Sequence, residues 1–278
     1  MKPLTPEDLV MRSGSENGDS PISAPVWGTD APTTRPKIEI PLERFQTLEK
    51  IVRDSPITVD PYLELARIYF DQERWQDVRR IAEMALEKFP EDDDANFLCE
   101  EAQINRSRQL FLEAKQTHDA EPTRLTLEPL ERSNMELNVL REKVYEKRLA
   151  RHPDKTELNL QLAEAHENLG NTDKAIARLE IASQVPELRA RAAYQLGRLY
   201  ERTQSITEAL SAYRKAAMFR VPEPPYDLKI ASLAAAANLA QKFGLIDSAL
   251  RYVELLDQLQ PNNAAIKKRL EELRAAPL

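Results

Sequence analysis

Between residues 156 and 260 the chain repeats one arrangement three times, and that repetition restricts the fold more than any other feature. Leu162-Ala163 with His166, Leu196-Gly197 with Tyr200, and Ala236-Ala237 with Ala240 each begin a helical pattern. About twelve residues later each has a partner. The partners are Ala175-Ile176 with Leu179 and Ala182, Ala209-Leu210 with Tyr213 and Ala216, and Ala249-Leu250 with Val253 and Leu256. Small residues recur where two helices must approach closely, so the unit is a helix pair that buries its apolar face against its neighbours. Ala163 and Gly197 stand 34 residues apart, and Gly197 and Ala237 stand 40 apart because a proline-rich segment, Val221 to Pro225, is inserted.

A 34-residue period of paired helices resembles the tetratricopeptide repeat (TPR) family. The resemblance extends over residues 41–275 and is clearest at 59–90 and 156–260. It implies an all-α fold, a right-handed α-solenoid whose concave face is lined by the first helix of each pair, with a binding rather than a catalytic role. Composition agrees with helix: the chain has only 6 glycines in 278 residues and 42% hydrophobic residues, enough for a continuous core.

Four regions are expected. Residues 1–40 intersperse prolines with Ser, Gly, Asn, Asp and Thr and predict a disordered tail, in which Trp27 stands out as a candidate docking motif. Residues 41–122 predict a lead helix opening at Pro41, one clear repeat from Val59 to Pro90, and a weaker stretch, 91–122, that reads either as a degenerate repeat or as one long helix. Residues 123–151 predict a loop, from Pro122 to Pro129, and a second lead helix containing Leu137, Leu140 and Val144. Residues 152–275 predict three repeats and a terminal capping helix begun by Pro261-Asn262-Asn263. A common offset of 97 residues relates Leu65-Ala66 to Leu162-Ala163, which suggests two blocks, each a lead helix followed by repeats. Gly170-Asn171 predicts a left-handed turn, and Asp247 a cap on the closing helix of the last repeat.

A net charge of −7 gives no general attraction to nucleic acid, and no apolar run approaches the roughly 20 residues that span a bilayer. The expectation is a cytoplasmic protein with no nucleic-acid partner and no membrane insertion. No phosphate loop, nucleophile elbow, His-Glu-x-x-His or Cys-x-x-Cys occurs, so neither enzymatic activity nor a cofactor or metal is expected. The single cysteine, Cys99, and His166 are expected to be buried packing residues.

If the groove is arranged as in the family, it would be lined near Thr156 by Glu157, Leu160, Gln161, Glu164 and Asn168. The next repeat would contribute Arg191, Tyr194, Gln195, Arg198 and Arg202, and the last Asn238, Gln241 and Lys242. Three guanidinium groups around an aromatic platform suit an acidic or extended peptide, because arginine binds carboxylates bidentately. The competing arrangement is a solvated face whose arginines pair with Glu201, Glu187 or the acidic strip next door. Tyr194 and Ala235 stand where family members with a two-carboxylate clamp carry Lys and Asn, so that clamp is not expected. The expected function is a non-enzymatic scaffold binding an acidic or extended peptide. The alternative is a structural subunit of a stable assembly, anchored by the tail and by the helices of 94–151.

Overall fold

The computed structural model describes residues 42–54 and 56–275. Trp27 and the expected tail lie outside them. Twelve α-helices and no strand occur among the described residues: α1 Leu42–Arg53, α2 Asp60–Asp71, α3 Trp75–Lys88, α4 Asp93–Ala120, α5 Arg124–Arg151, α6 Leu158–Asn168, α7 Thr172–Ser183, α8 Arg189–Arg202, α9 Ile206–Met218, α10 Tyr226–Lys242, α11 Ile246–Leu259 and α12 Ala264–Ala275. Each packs on the next in chain order, and first helices of neighbouring pairs also touch, α2 on α4 and α8 on α10. This is an open α-solenoid, whose buried residues form a chain of local clusters rather than one central core.

Alanines at the helix contacts let the backbones approach. Ala66, Ala82 and Ala85 are buried in the first cluster, Ala163, Ala175 and Ala182 in the middle, and Ala237 and Ala249 near the end. Four short pairs close on one turn. The second residue after the first helix is left-handed in each case: Glu73 (φ 57°), Gly170 (φ 77°), Gln204 (φ 60°) and Gly244 (φ 71°). In each, an amide past the helix end returns to a carbonyl five residues back: Arg74 N to Tyr69 O, Asn171 N to His166 O, Ser205 N to Tyr200 O and Leu245 N to Ala240 O, at 2.8–2.9 Å. That bond ends the helix and satisfies an otherwise orphaned carbonyl. Glu73 and Gly170 are 97 residues apart, so the offset seen in the apolar anchors recurs in the backbone.

In the middle of the chain, 91–122 takes the long-helix alternative, while most of the loop expected after it is not seen. Residues 93–120 form one 28-residue helix, and the expected loop before Pro129 is helical from Arg124, with Pro129 inside α5. Thr123 and Thr126 supply a reciprocal capping box, which starts the helix five residues ahead of the proline. The expected second lead helix is therefore the return arm of an antiparallel hairpin. His118 meets Thr126 at one end, and His152 meets Asp93 at the other.

The capping expectations divide. Asp92 Oδ1 accepts from Ala95 N at 2.8 Å to begin α4, and Asn263 Oδ1 accepts from Ala265 N at 3.1 Å to begin α12. Asp247 does not cap α11. That helix starts after Leu245 with no side-chain cap, and Asp247 lies in its first turn, where a carboxylate favours the positive end of the helix dipole.

Candidate protein-interaction surfaces

The expected groove residues on α8 do not share one exposed face. Tyr194 is only 2% exposed, its ring 5.8 Å from that of Tyr213, so it belongs to the seam between α8 and α9 and offers no platform to a ligand. Burial raises its hydroxyl pKa. The cause is Gly197: without a side chain there, Tyr213 packs flat on the α8 backbone and covers Tyr194. Tyr213 itself donates to Glu201 at 2.7 Å. Leu160 is likewise a buried core residue, because α6 turns it toward Leu179 and Leu199.

The arginines are exposed but not all free. Arg202 donates to Glu167 at 2.7 Å, and Arg198 lies 3.9 Å from the same oxygen. One carboxylate of α6 thus sits between two guanidinium groups of α8, an acidic partner from the neighbouring repeat, though Glu167 is not among the carboxylates named from the sequence. Arg191 is exposed, and Gln195 is half-buried. Farther along, Gln241 accepts from Arg269 of the terminal helix at 3.1 and 2.8 Å, Lys242 lies 5.9 Å from the Phe243 ring centroid, and Asn238 is half-buried. On α6, Glu164 pairs with Arg141 at 3.2 Å and Asn168 donates to Asn138 at 3.1 Å.

The α4–α5 hairpin provides a second surface. Its root is locked by charge: Arg148, 7% exposed, donates to Glu100 and Glu101 at 2.8 Å each, while its guanidinium carbon lies 4.6 Å from the Phe97 ring centroid. Arg151 donates to Glu100 at 2.6 Å. The carboxylates favour charged Arg148 and raise its pKa despite the opposing effect of burial. Buried Ile104, Leu137, Val144 and Tyr145 bind the root to Leu158 and Leu162 of α6.

Beyond the root, burial fades: Phe111 is half-buried against the root cluster. From Asn105 to Glu136 no residue is fully buried. The α4 arm of this stretch, 16 residues, reaches about 24 Å at the helical rise of 1.5 Å per residue. Together the two arms carry exposed Leu110, Leu112, Leu127 and Met135, the last 64% exposed. The sequence reading placed a possible assembly contact on the helices of 94–151 without singling out these side chains, of which Leu110, Leu112, Leu125 and Leu127 are legible as apolar positions.

A stack of antiparallel helix pairs defines a helical-repeat protein. The tetratricopeptide repeat family model matches residues 145–227, spanning the end of α5 through the start of α10. Over this segment the sequence is similar to that family. A search of curated proteins found no match. Among solved structures, it is similar to the APC/C hetero-tetramer Cut9-Hcn1, with 14% identity, a TM-score of 0.39, and 83% of this chain and 46% of that one covered. It is also similar to Naa15/Naa10 bound to HypK-THB, at 17% identity and a TM-score of 0.41, covering 84% of this chain and 36% of that one. A thermophilic TPR protein of Thermus thermophilus matches at 17% identity and a TM-score of 0.38, covering 79% of this chain and 100% of that one. The chain spans less than half the length of the first two. No described helix is long and apolar enough to cross a membrane.

Proposed function

We propose that this chain is a protein-binding scaffold whose partner docks on the projecting half of the α4–α5 hairpin, making it a structural subunit of an assembly. The tetratricopeptide fold favours a protein-interaction role in general. One observation supports the hairpin in particular: 32 consecutive residues, 105–136, form two helical arms and their turn with no fully buried residue, Phe111 alone packing partly against the root cluster. Helices take most of their stability from packing an apolar face, and long arms with so little burial are suited to completion by a partner. Leu112 and Met135 are 53% and 64% exposed, and each fully buried side chain of this size contributes about 1.5–3 kcal/mol to association.

The test is affinity purification of full-length protein beside a Leu112→Glu, Met135→Glu double variant, with the unfolding temperature of both measured. A partner absent from the variant at unchanged stability is the expected result. An unchanged partner set rejects the hairpin as the docking surface.

A second reading keeps the acidic or extended peptide on the α8–α10 face. It is favoured by exposed Arg191 and by Arg198 and Arg202, which share the single carboxylate of Glu167. A ligand carboxylate would displace Glu167 and take the guanidinium fork of Arg202. Arg198→Glu with Arg202→Glu abolishes such binding; retained affinity for an acidic peptide pool removes the reading. Neither surface is assigned a catalytic role.

A further inference from the structure

We infer that Glu142, Glu146 and His166 form a site for a zinc-class divalent cation at the seam between α5 and α6. One ligand atom from each of the three lies within 4.8 Å of the others. Glu142 and Glu146 are four residues apart on α5 and so share one helical face, which looks onto His166 of α6.

The imidazole is what raises this cluster above an ordinary pair of surface carboxylates. His166 is 1% exposed, and its Nδ1 has no hydrogen-bond partner among the described residues. A buried polar atom without a partner is costly, and native interiors contain few. Nδ1 lies 3.4 Å from Glu142 Oε1, close but without hydrogen-bond alignment. A tetrahedral ion with bonds of about 2.0–2.1 Å separates its ligand atoms by about 3.4 Å, so these two atoms already stand at the spacing of an edge of a zinc polyhedron. Glu146 is exposed and free to close the third position, leaving a fourth for water. Burial lowers the pKa of His166, with Lys174 and Arg178 acting in the same direction and Glu142 and Glu146 opposing.

Two cations face the site. Lys174 Nζ is 3.6 Å from Glu142 Oε1, and Arg178 is near enough to act on His166. The Lys174 side chain is 63% exposed and can turn into solvent when an ion takes its carboxylate. One imidazole nitrogen with two carboxylates suits zinc, whereas an all-oxygen shell would suit magnesium or calcium. Bound there, the ion ties the return arm of the long hairpin to the next repeat. This role is independent of what docks on the hairpin tip.

The test uses full-length, tag-free protein stripped with chelator and titrated calorimetrically with zinc chloride, with magnesium chloride as the contrast. Saturable one-to-one zinc binding is expected, without comparable magnesium binding. Glu146→Gln should weaken zinc at least tenfold while the metal-free protein unfolds at the wild-type temperature, since this side chain is exposed. Cobalt(II) should give the visible absorption of a four-coordinate ion in wild type and not in Glu146→Gln. No saturable zinc binding, equal affinity in Glu146→Gln, or equal preference for magnesium overturns the site.

Discussion

Gly197 and Tyr213 meet across the seam of α8 and α9 so closely that a Cβ on Gly197 would lie 2.5 Å from Tyr213 Cδ1. The missing side chain allows the ring to lie on the helix backbone, with its hydroxyl reaching Glu201 at 2.7 Å. Gly197→Ala should therefore destabilise the protein, even though alanine is the better helix former. Overpacking of a buried site costs about 1–3 kcal/mol, and the gain in helix propensity returns about 1 kcal/mol. A net loss of up to about 2 kcal/mol in urea denaturation is expected from these two terms, and a stabilised variant would contradict the contact.

The four left-handed turn residues predict changes of opposite sign. Gln204 is a non-glycine residue at φ 60°, so Gln204→Gly should stabilise by about 0.5–1 kcal/mol through relief of backbone strain. Gly170→Ala and Gly244→Ala should each cost about 1 kcal/mol. Nothing lies within 4 Å of an added Cβ at either glycine, so that cost is conformational alone. The three denaturation midpoints measured together check the turn geometry.

Arg148 and Arg132 separate buried from exposed pairing. Removing Arg148 takes the guanidinium from partly buried Glu101 and leaves Glu100 to Arg151 alone, and Arg148→Ala should cost about 3 kcal/mol, near the low end for breaking a buried pair. Arg132 pairs with Glu128 four residues away on an exposed turn of α5, and Arg132→Ala should change stability by less than about 0.5 kcal/mol. Equal effects of the two variants would show that the root network adds nothing beyond a surface pair.

The residues of the candidate surfaces show where local pattern suffices and where it does not. The apolar anchors Leu162, Ala163, Ala209 and Ala216 carry the helix-pair period in the sequence, and all four are buried. Gly170 announced its turn, whereas Glu73 and Gln204 adopt the same conformation with no local signal, since the closing bond to Tyr69 or Tyr200 imposes it. Tyr194 follows Arg191 by three residues on α8, and by spacing alone the two share a face. Only the ring of Tyr213, nineteen residues farther on, decides that Tyr194 is covered while Arg191 stays exposed.

By itself the sequence determined the all-α class, the period of the repeat, the positions of the tight contacts and the capping by Asn263, because each is written in spacings of a few residues along one helix. The tertiary structure decided that α4 and α5 form one long hairpin, that Glu167 of α6 occupies the arginines of α8, and that Glu142 and Glu146 look onto His166. These depend on which side chains of separate helices come face to face, and helical periodicity fixes an apolar stripe without fixing what stands opposite it.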